Sequence, residues 1–270
     1  MHAPGRLRAR RPWLPIVGAA LAVAAVCALG MWRPWVVPSA PVAVEAESVA
    51  VVAGAAPLAL PDAPRVLVFG DSWVYGSAAI VPSLGFAYRL ADHLGGETIV
   101  DGVRGSGYLK PGLDGGSYGE RVAMLDPALD PDLVIVEGSI NDRRLYPSGY
   151  RDAVTAVWDS LEALYPDAAI VVLGPAPQVL PVEAATAGID GDLAAFAAER
   201  GWWYISPIAE SWITPDNYLE LIDTSDTGRD HPSTAGHAYL AERVATAIAG
   251  MTEATDVVAD APLDEDVVTP

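Results

Sequence analysis

Four separated stretches of this chain carry side chains suited to acyl transfer. Gly70-Asp71-Ser72-Trp73 offers a hydroxyl, and His231-Pro232 offers an imidazole held out of a helix by the following proline. A serine hydroxyl is a weak nucleophile until a base removes its proton during attack, and the same imidazole then protonates the departing alcohol. Asp101-Gly102-Val103-Arg104-Gly105-Ser106-Gly107 and Glu137-Gly138-Ser139-Ile140-Asn141-Asp142 offer backbone N–H groups and an asparagine amide. Such neutral donors, aimed at one point, are what a tetrahedral oxyanion needs. Each stretch has an ordinary reading when taken alone. Asp71-Ser72 is a common helix cap, the glycine-rich runs are common turns, and Val74 stands where a G-x-S-x-G elbow would have its second glycine. The order G-x-x-G-x-G after Asp101 also departs from the dinucleotide-binding fingerprint. Of the four histidines, His2 lies in the leading basic segment, His93 in an expected surface helix and His237 on the final helix, while Pro232 fixes His231 on a loop.

These stretches need a scaffold that brings them together. Apolar runs at Val66 to Phe69, Thr98 to Val103, Leu133 to Val136, Ile170 to Leu173 and Trp203 to Ile205 predict buried strands. Amphipathic stretches at about Gly85 to Leu94, Gly149 to Tyr165, Asp190 to Arg200 and Thr234 to Ala249 predict the intervening helices. Strict alternation of the two argues for an α/β domain whose parallel sheet is covered on both faces. The chemistry then belongs in loops beyond the carboxyl ends of the strands.

Taken in order, Gly70-Asp71-Ser72, Gly105, Gly138-x-x-Asn141-Asp142 and His231-Pro232 resemble the blocks of the SGNH hydrolases, also called GDSL esterases and lipases. The resemblance spans about Arg65 to Gly250. It implies a flavodoxin-like, three-layer α/β/α fold with a parallel sheet of about five strands. It also implies Ser72 as nucleophile, His231 as base, and an oxyanion hole from Ser72, Gly105 and Asn141, with no cofactor. One block departs from the pattern: the aspartate three residues before the histidine is replaced by Gly228. The third triad member is therefore left open between Asp230, Asp226 and a backbone carbonyl.

Composition limits the partners. The net charge is −19, and all 35 acids follow Arg6, Arg8, Arg10 and Arg11. A polyanion would be repelled, so nucleic acid is excluded as the main partner. The single cysteine, Cys27, rules out an internal disulfide or a cysteine-ligated zinc, and so few histidines offer no metal cluster. Residues 1–11 form a basic cytoplasmic segment, and residues 12–32 are uncharged and long enough, as a helix, for the roughly 30 Å of a bilayer core. This run reads as a transmembrane anchor or a cleaved signal peptide, and either sends the remainder out of the cytoplasm. A Pro/Ala-rich linker at 33–64, a hydrolase domain at 65–250 and an acidic disordered tail at 251–270 complete the expected organisation.

The expectation for function is an extracytoplasmic serine esterase acting on a small acyl or acetyl ester, acylated glycans included. Two alternatives stand beside it: a catalytically silent anchored binding module, and an O-acyltransferase using the same serine. Specificity is expected from loops at Val74 to Phe86 and Val179 to Gly188, with Trp73 and Tyr108 as pocket walls or as core.

Overall fold

A computed structural model describes residues 55–253. The segments 1–11 and 12–32, most of the linker and nearly all of the acidic tail lie outside the described residues. Among the described residues no helix is long and apolar enough to cross a membrane.

Five parallel strands form one sheet: β1 (Arg65–Gly70), β2 (Glu97–Gly102), β3 (Leu133–Glu137), β4 (Ala169–Leu173) and β5 (Trp203–Ile205). Their order is β2-β1-β3-β4-β5. The chain thus leaves β1 for one edge and crosses back over it to reach β3. This reversal opens a crevice at the carboxyl ends of β1 and β3, where open α/β sheets bind ligands. Register places Phe69 opposite Asp101 on one side and Val136 on the other, so Gly70, Gly102 and Glu137 end at nearly one level.

Strand periodicity divides the core in two. Val66, Val68, Leu133 and Ile135 point to one face, where they meet Phe86, Leu90, Leu240, Val244 and Ile248. Leu67, Phe69, Val134 and Val136 point to the other and meet Val154, Trp158, Leu161, Ile189 and Leu193. The first set of partners comes from α2 (Phe86–Leu94) and the long final helix (Thr234–Glu253), and the second from α4 (Tyr150–Leu164) and α5 (Ala184–Arg200). Each fully buried aliphatic side chain of this kind contributes about 1.5–3 kcal/mol of transfer free energy. Two-sided burial explains why the strands read as continuous apolar runs.

Three short helices escape the periodicity analysis: α1 (Ser72–Tyr75), α3 (Tyr118–Val122) and α6 (Tyr218–Leu221). None is long enough to develop an apolar stripe. The final helix, α7 in chain order, begins where expected at Thr234 and runs past Gly250 to Glu253, with Met251 fully buried. Helix α5 begins at Ala184, a full turn and more before the expected Asp190. At the other end of the domain, part of the expected linker is docked. Leu58 is buried and its N–H donates to the Met251 carbonyl at 3.1 Å, while Trp203 Nε1 donates to the Ala56 carbonyl at 2.8 Å.

Candidate active site

The nucleophile candidate is fixed by the exit from β1. Gly70 is obligatory there, because a Cβ would lie 2.5 Å from Val74 Cγ2 and 2.8 Å from Glu137 Oε2. Asp71 caps α1 by accepting the Trp73 N–H at 2.8 Å, which places Ser72 at the first helical position. The backbone N–H of Ser72 therefore has no acceptor within its own helix. Ser72 is buried but opens onto a cavity of about 690 Å³.

His231 arrives from the far end of the chain. With Pro232 it forms a two-residue strand, β7, paired antiparallel with β6 (Ile222–Asp223), rather than the loop expected from sequence. Its Nε2 lies 2.9 Å from Ser72 Oγ, across 159 residues of sequence. Its Nδ1 lies 2.9 Å from the Gly228 carbonyl oxygen. That contact makes Nδ1 the protonated nitrogen and leaves Nε2 free to accept the serine proton. Neither carboxylate considered for the third position bonds to the ring. Asp226 is exposed, and the backbone N–H of Asp230 donates to the Asp223 carbonyl. Position 228 has no room for a side chain, since a Cβ there would fall 2.1 Å from Asp223 Cγ.

Gly105 and Asn141 both line the same cavity as Ser72 and His231. Gly105 sits at φ +74, a left-handed conformation that only glycine adopts without strain, and its N–H is given no acceptor by the described hydrogen bonds. Asn141 is turned inward: Nδ2 donates to Asp71 Oδ2 at 2.8 Å and to the Ser106 carbonyl at 3.0 Å. Donation to an oxyanion from this amide requires sharing one of those hydrogens.

Beneath the site lie charged groups that the motif reading did not single out. Asp71 is fully buried and accepts from Ser139 Oγ at 3.1 Å as well as from Asn141. Burial raises its pKa, while the Trp73 N–H and the Ser139 hydroxyl pull it down. Glu137, buried at the end of β3, is pushed well above the usual carboxylate range by burial first and by the Asp71 charge second. Two carboxyls this close cannot both ionise, so Glu137 keeps its proton and Asp71, which holds more donors, carries the charge. Asp142 takes the backbone N–H groups of Tyr108, Leu109 and Lys110 at 2.8–3.0 Å and thereby fixes the chain after the Gly105 loop. Burial nonetheless lifts its pKa to about 6.

Arg121, 3% exposed, donates from Nη1 to the Gly70 carbonyl and Ser106 Oγ, and from Nη2 to Asp101. It ties the ends of β1 and β2 to the Gly105 loop. A lone arginine in an acid-rich chain gave no signal of this. His237 is fully buried, accepts the Phe86 N–H on Nδ1 and lies 2.9 Å from the Ser77 carbonyl through Nε2. Burial lowers its pKa to about 4, so it is a neutral brace for the segment after α1.

Of the two readings for Trp73 and Tyr108 the core holds: both are buried in the two cores, Tyr108 accepting the Trp158 indole N–H at 2.9 Å, and neither lines the cavity. The cavity is lined from 75–82, as expected, but by Ile140, Asn141 and 143–145 instead of 179–188. Those residues form a tight 3-10 turn whose geometry periodicity cannot reveal. Among the described residues no group of acids, histidines or cysteines is placed to hold a metal ion.

The profile of the GDSL-like lipase/acylhydrolase family matches residues 68–239, from β1 into the final helix. The chain belongs to that family. Within it, a GDSL lipase of Mycobacterium tuberculosis is 30% identical over 148 residues, an alignment covering 53% of this chain and 61% of the relative. The chain thus spans less than two thirds of that relative's length. Among solved structures the fold matches the native aryl esterase of M. smegmatis, with a TM-score of 0.53 and 18% identity over 70% of this chain and 100% of the other. A two-domain esterase active on acetylated mannans matches with a TM-score of 0.55 and 18% identity, over 70% of this chain and 50% of that one. Likeness at this identity establishes the shared α/β fold.

Proposed function

We propose that this GDSL-like protein is a serine esterase that hydrolyses small acyl or acetyl esters through an acyl-enzyme. The observation that carries the reading is the 2.9 Å contact between Ser72 Oγ and His231 Nε2 at the wall of an open cavity. As Ser72 Oγ attacks the ester carbonyl, its proton passes to His231 Nε2, and the imidazolium is steadied through Nδ1 by the Gly228 carbonyl. Charge on the carbonyl oxygen is received by the N–H groups of Ser72 and Gly105, with Asn141 as a third donor. Collapse of the intermediate expels the alcohol, which takes the proton back from Nε2. Water then repeats the sequence on the acyl-serine and releases the acid.

Gly228, in place of the family's aspartate, is the one feature that favours a silent binding module. The carbonyl at 2.9 Å from Nδ1 supplies an orienting acceptor in its place, which supports a working base. A fluorophosphonate probe tests this: the protein should gain one covalent adduct at Ser72, and an unlabelled protein would favour the silent module. Turnover with and without a glycan acceptor separates hydrolysis from O-acyl transfer, which must yield acylated acceptor. Placement outside the cytoplasm, by anchor or by cleaved signal, is part of the same proposal and rests on the arginines before residue 12 and the uncharged run 12–32. Protease added to intact cells should digest the domain, and protection until the membrane is breached would overturn that placement.

A further inference from the structure

The cavity's charge opposes that of the molecule around it. Eleven basic residues follow Arg33, and five of them, Arg104, Lys110, Arg143, Arg144 and Arg229, line this one cavity. No acid of the described residues is among its 21 lining residues. A protein of net charge −19 repels anions at long range, so a concentration of cations at the reaction centre does not follow from composition.

Two of the five are already paired. Arg104 forms an ion pair with Asp114, and Arg143 Nε lies 2.9 Å from Glu183 Oε2. Lys110, Arg144 and Arg229 have no carboxylate partner among the ion pairs of the described residues. Their positions are set by the site itself. Lys110 is anchored by its backbone N–H on Asp142, and its Nζ would lie 3.7 Å from a Cβ built on Gly105. Arg144 sits on the 3-10 turn that carries Asn141, and Arg229 follows the Gly228 carbonyl that orients His231. The three unpaired cations thus adjoin the three parts of the proposed machinery.

We propose that the esters this site takes carry an anionic group, a carboxylate or a phosphate, close to the scissile bond. This rests on the esterase reading above and narrows its substrate class. Salt screens charges that lie more than a Debye length of about 8 Å away at physiological ionic strength, so the cations lining the cavity act on a bound ester while the distant acidic surface does not. A carboxylate, as on an acidic sugar, and a phosphomonoester both present the oxygen acceptors that Lys and Arg bind.

The test compares 4-acetoxyphenylacetate and 4-acetoxyphenyl phosphate with the uncharged methyl ester of the former, each rate divided by its rate of alkaline hydrolysis. At low salt the anionic substrates should show a kcat/KM about ten-fold or more above the neutral one, and 0.5 M NaCl should erase most of that advantage. Which of the two anions gains more identifies the preferred group. In Lys110→Gln/Arg144→Gln/Arg229→Gln the anionic-to-neutral ratio should fall to about two or less. Equal use of charged and neutral esters by the unaltered protein, or an unchanged ratio in the triple variant, would overturn the inference while leaving the esterase reading intact. If no ester is turned over, the esterase reading fails and binding decides the matter. Calorimetry should then show 4-hydroxyphenylacetate binding at least ten-fold tighter than 4-hydroxyphenylacetamide, and equal or absent binding of the two would refute the anion site.

Discussion

At residue scale the unusual feature is a histidine, the proposed base, oriented by a backbone carbonyl. Its hydrogen-bond geometry assigns no role at the ring to Asp226 or Asp230, so Asp226→Asn and Asp230→Asn should each change kcat for p-nitrophenyl acetate by less than about two-fold. A ten-fold loss in either would restore a carboxylate to the mechanism. Gly228→Asp should not recreate the family's usual arrangement, because the new Cβ would collide with Asp223. Overpacking of this kind costs about 1–3 kcal/mol and shifts the carbonyl that the ring depends on. Asn141→Ala should lower kcat by roughly 10²- to 10³-fold. Ser72, Gly105, Asn141 and His231, which line one cavity, were legible in the sequence through ordered blocks that resemble those of the SGNH hydrolases, since each stretch alone reads as a cap or a turn. The Gly228 acceptor was not singled out, since every residue has a carbonyl and only a folded loop says which one points at the imidazole.

At element scale the strand ends and the loops after them are locked by buried polar groups. Asp142 on the turn after β3 holds residues 108–110 through three N–H bonds while its own pKa rises from 3.8 to about 6. The native state then binds more protons than the unfolded chain across that interval, so this group makes stability fall as pH rises from about 4 to 6. The slope is at most about 1.4 kcal/mol per pH unit for one group. Urea unfolding across this range should show a steeper decline for the native protein than for Asp142→Asn, and identical profiles would remove Asp142 as the source. Glu137 and Asp71 act with the same sign and are common to both proteins. Strands and long helices were legible because two-sided burial and amphipathic stripes repeat over many residues. The anchoring roles of Arg121, Glu137 and Asp142 were hidden, since a buried polar group is recognised by its partners and those lie 15 to 66 residues away.

At the scale of the molecule, the domain is longer at both ends than composition indicated. Leu58 reaches the core beside Met251, and Trp203 is bonded to Ala56, so these contacts dock the last part of the Pro/Ala-rich segment on the domain. Pro and Ala-rich composition conceals them, because a single leucine in an irregular segment has no periodicity to reveal it. A fragment of residues 55–253 should melt several degrees above one of residues 60–253, since loss of a buried leucine costs about 2–5 kcal/mol. Equal melting temperatures would show that the docked segment contributes nothing to stability.

Net charge gave a second lesson at this scale. It argues against nucleic acid as a partner, yet it averages away the basic lining of the cavity that holds Ser72 and His231.

The account depends most on Ser72 as the atom that attacks. Purified Ser72→Ala, shown by circular dichroism to be folded, should hydrolyse p-nitrophenyl acetate no faster than buffer while the unaltered protein turns it over repeatedly. Turnover by Ser72→Ala at the rate of the unaltered protein would contradict the mechanism.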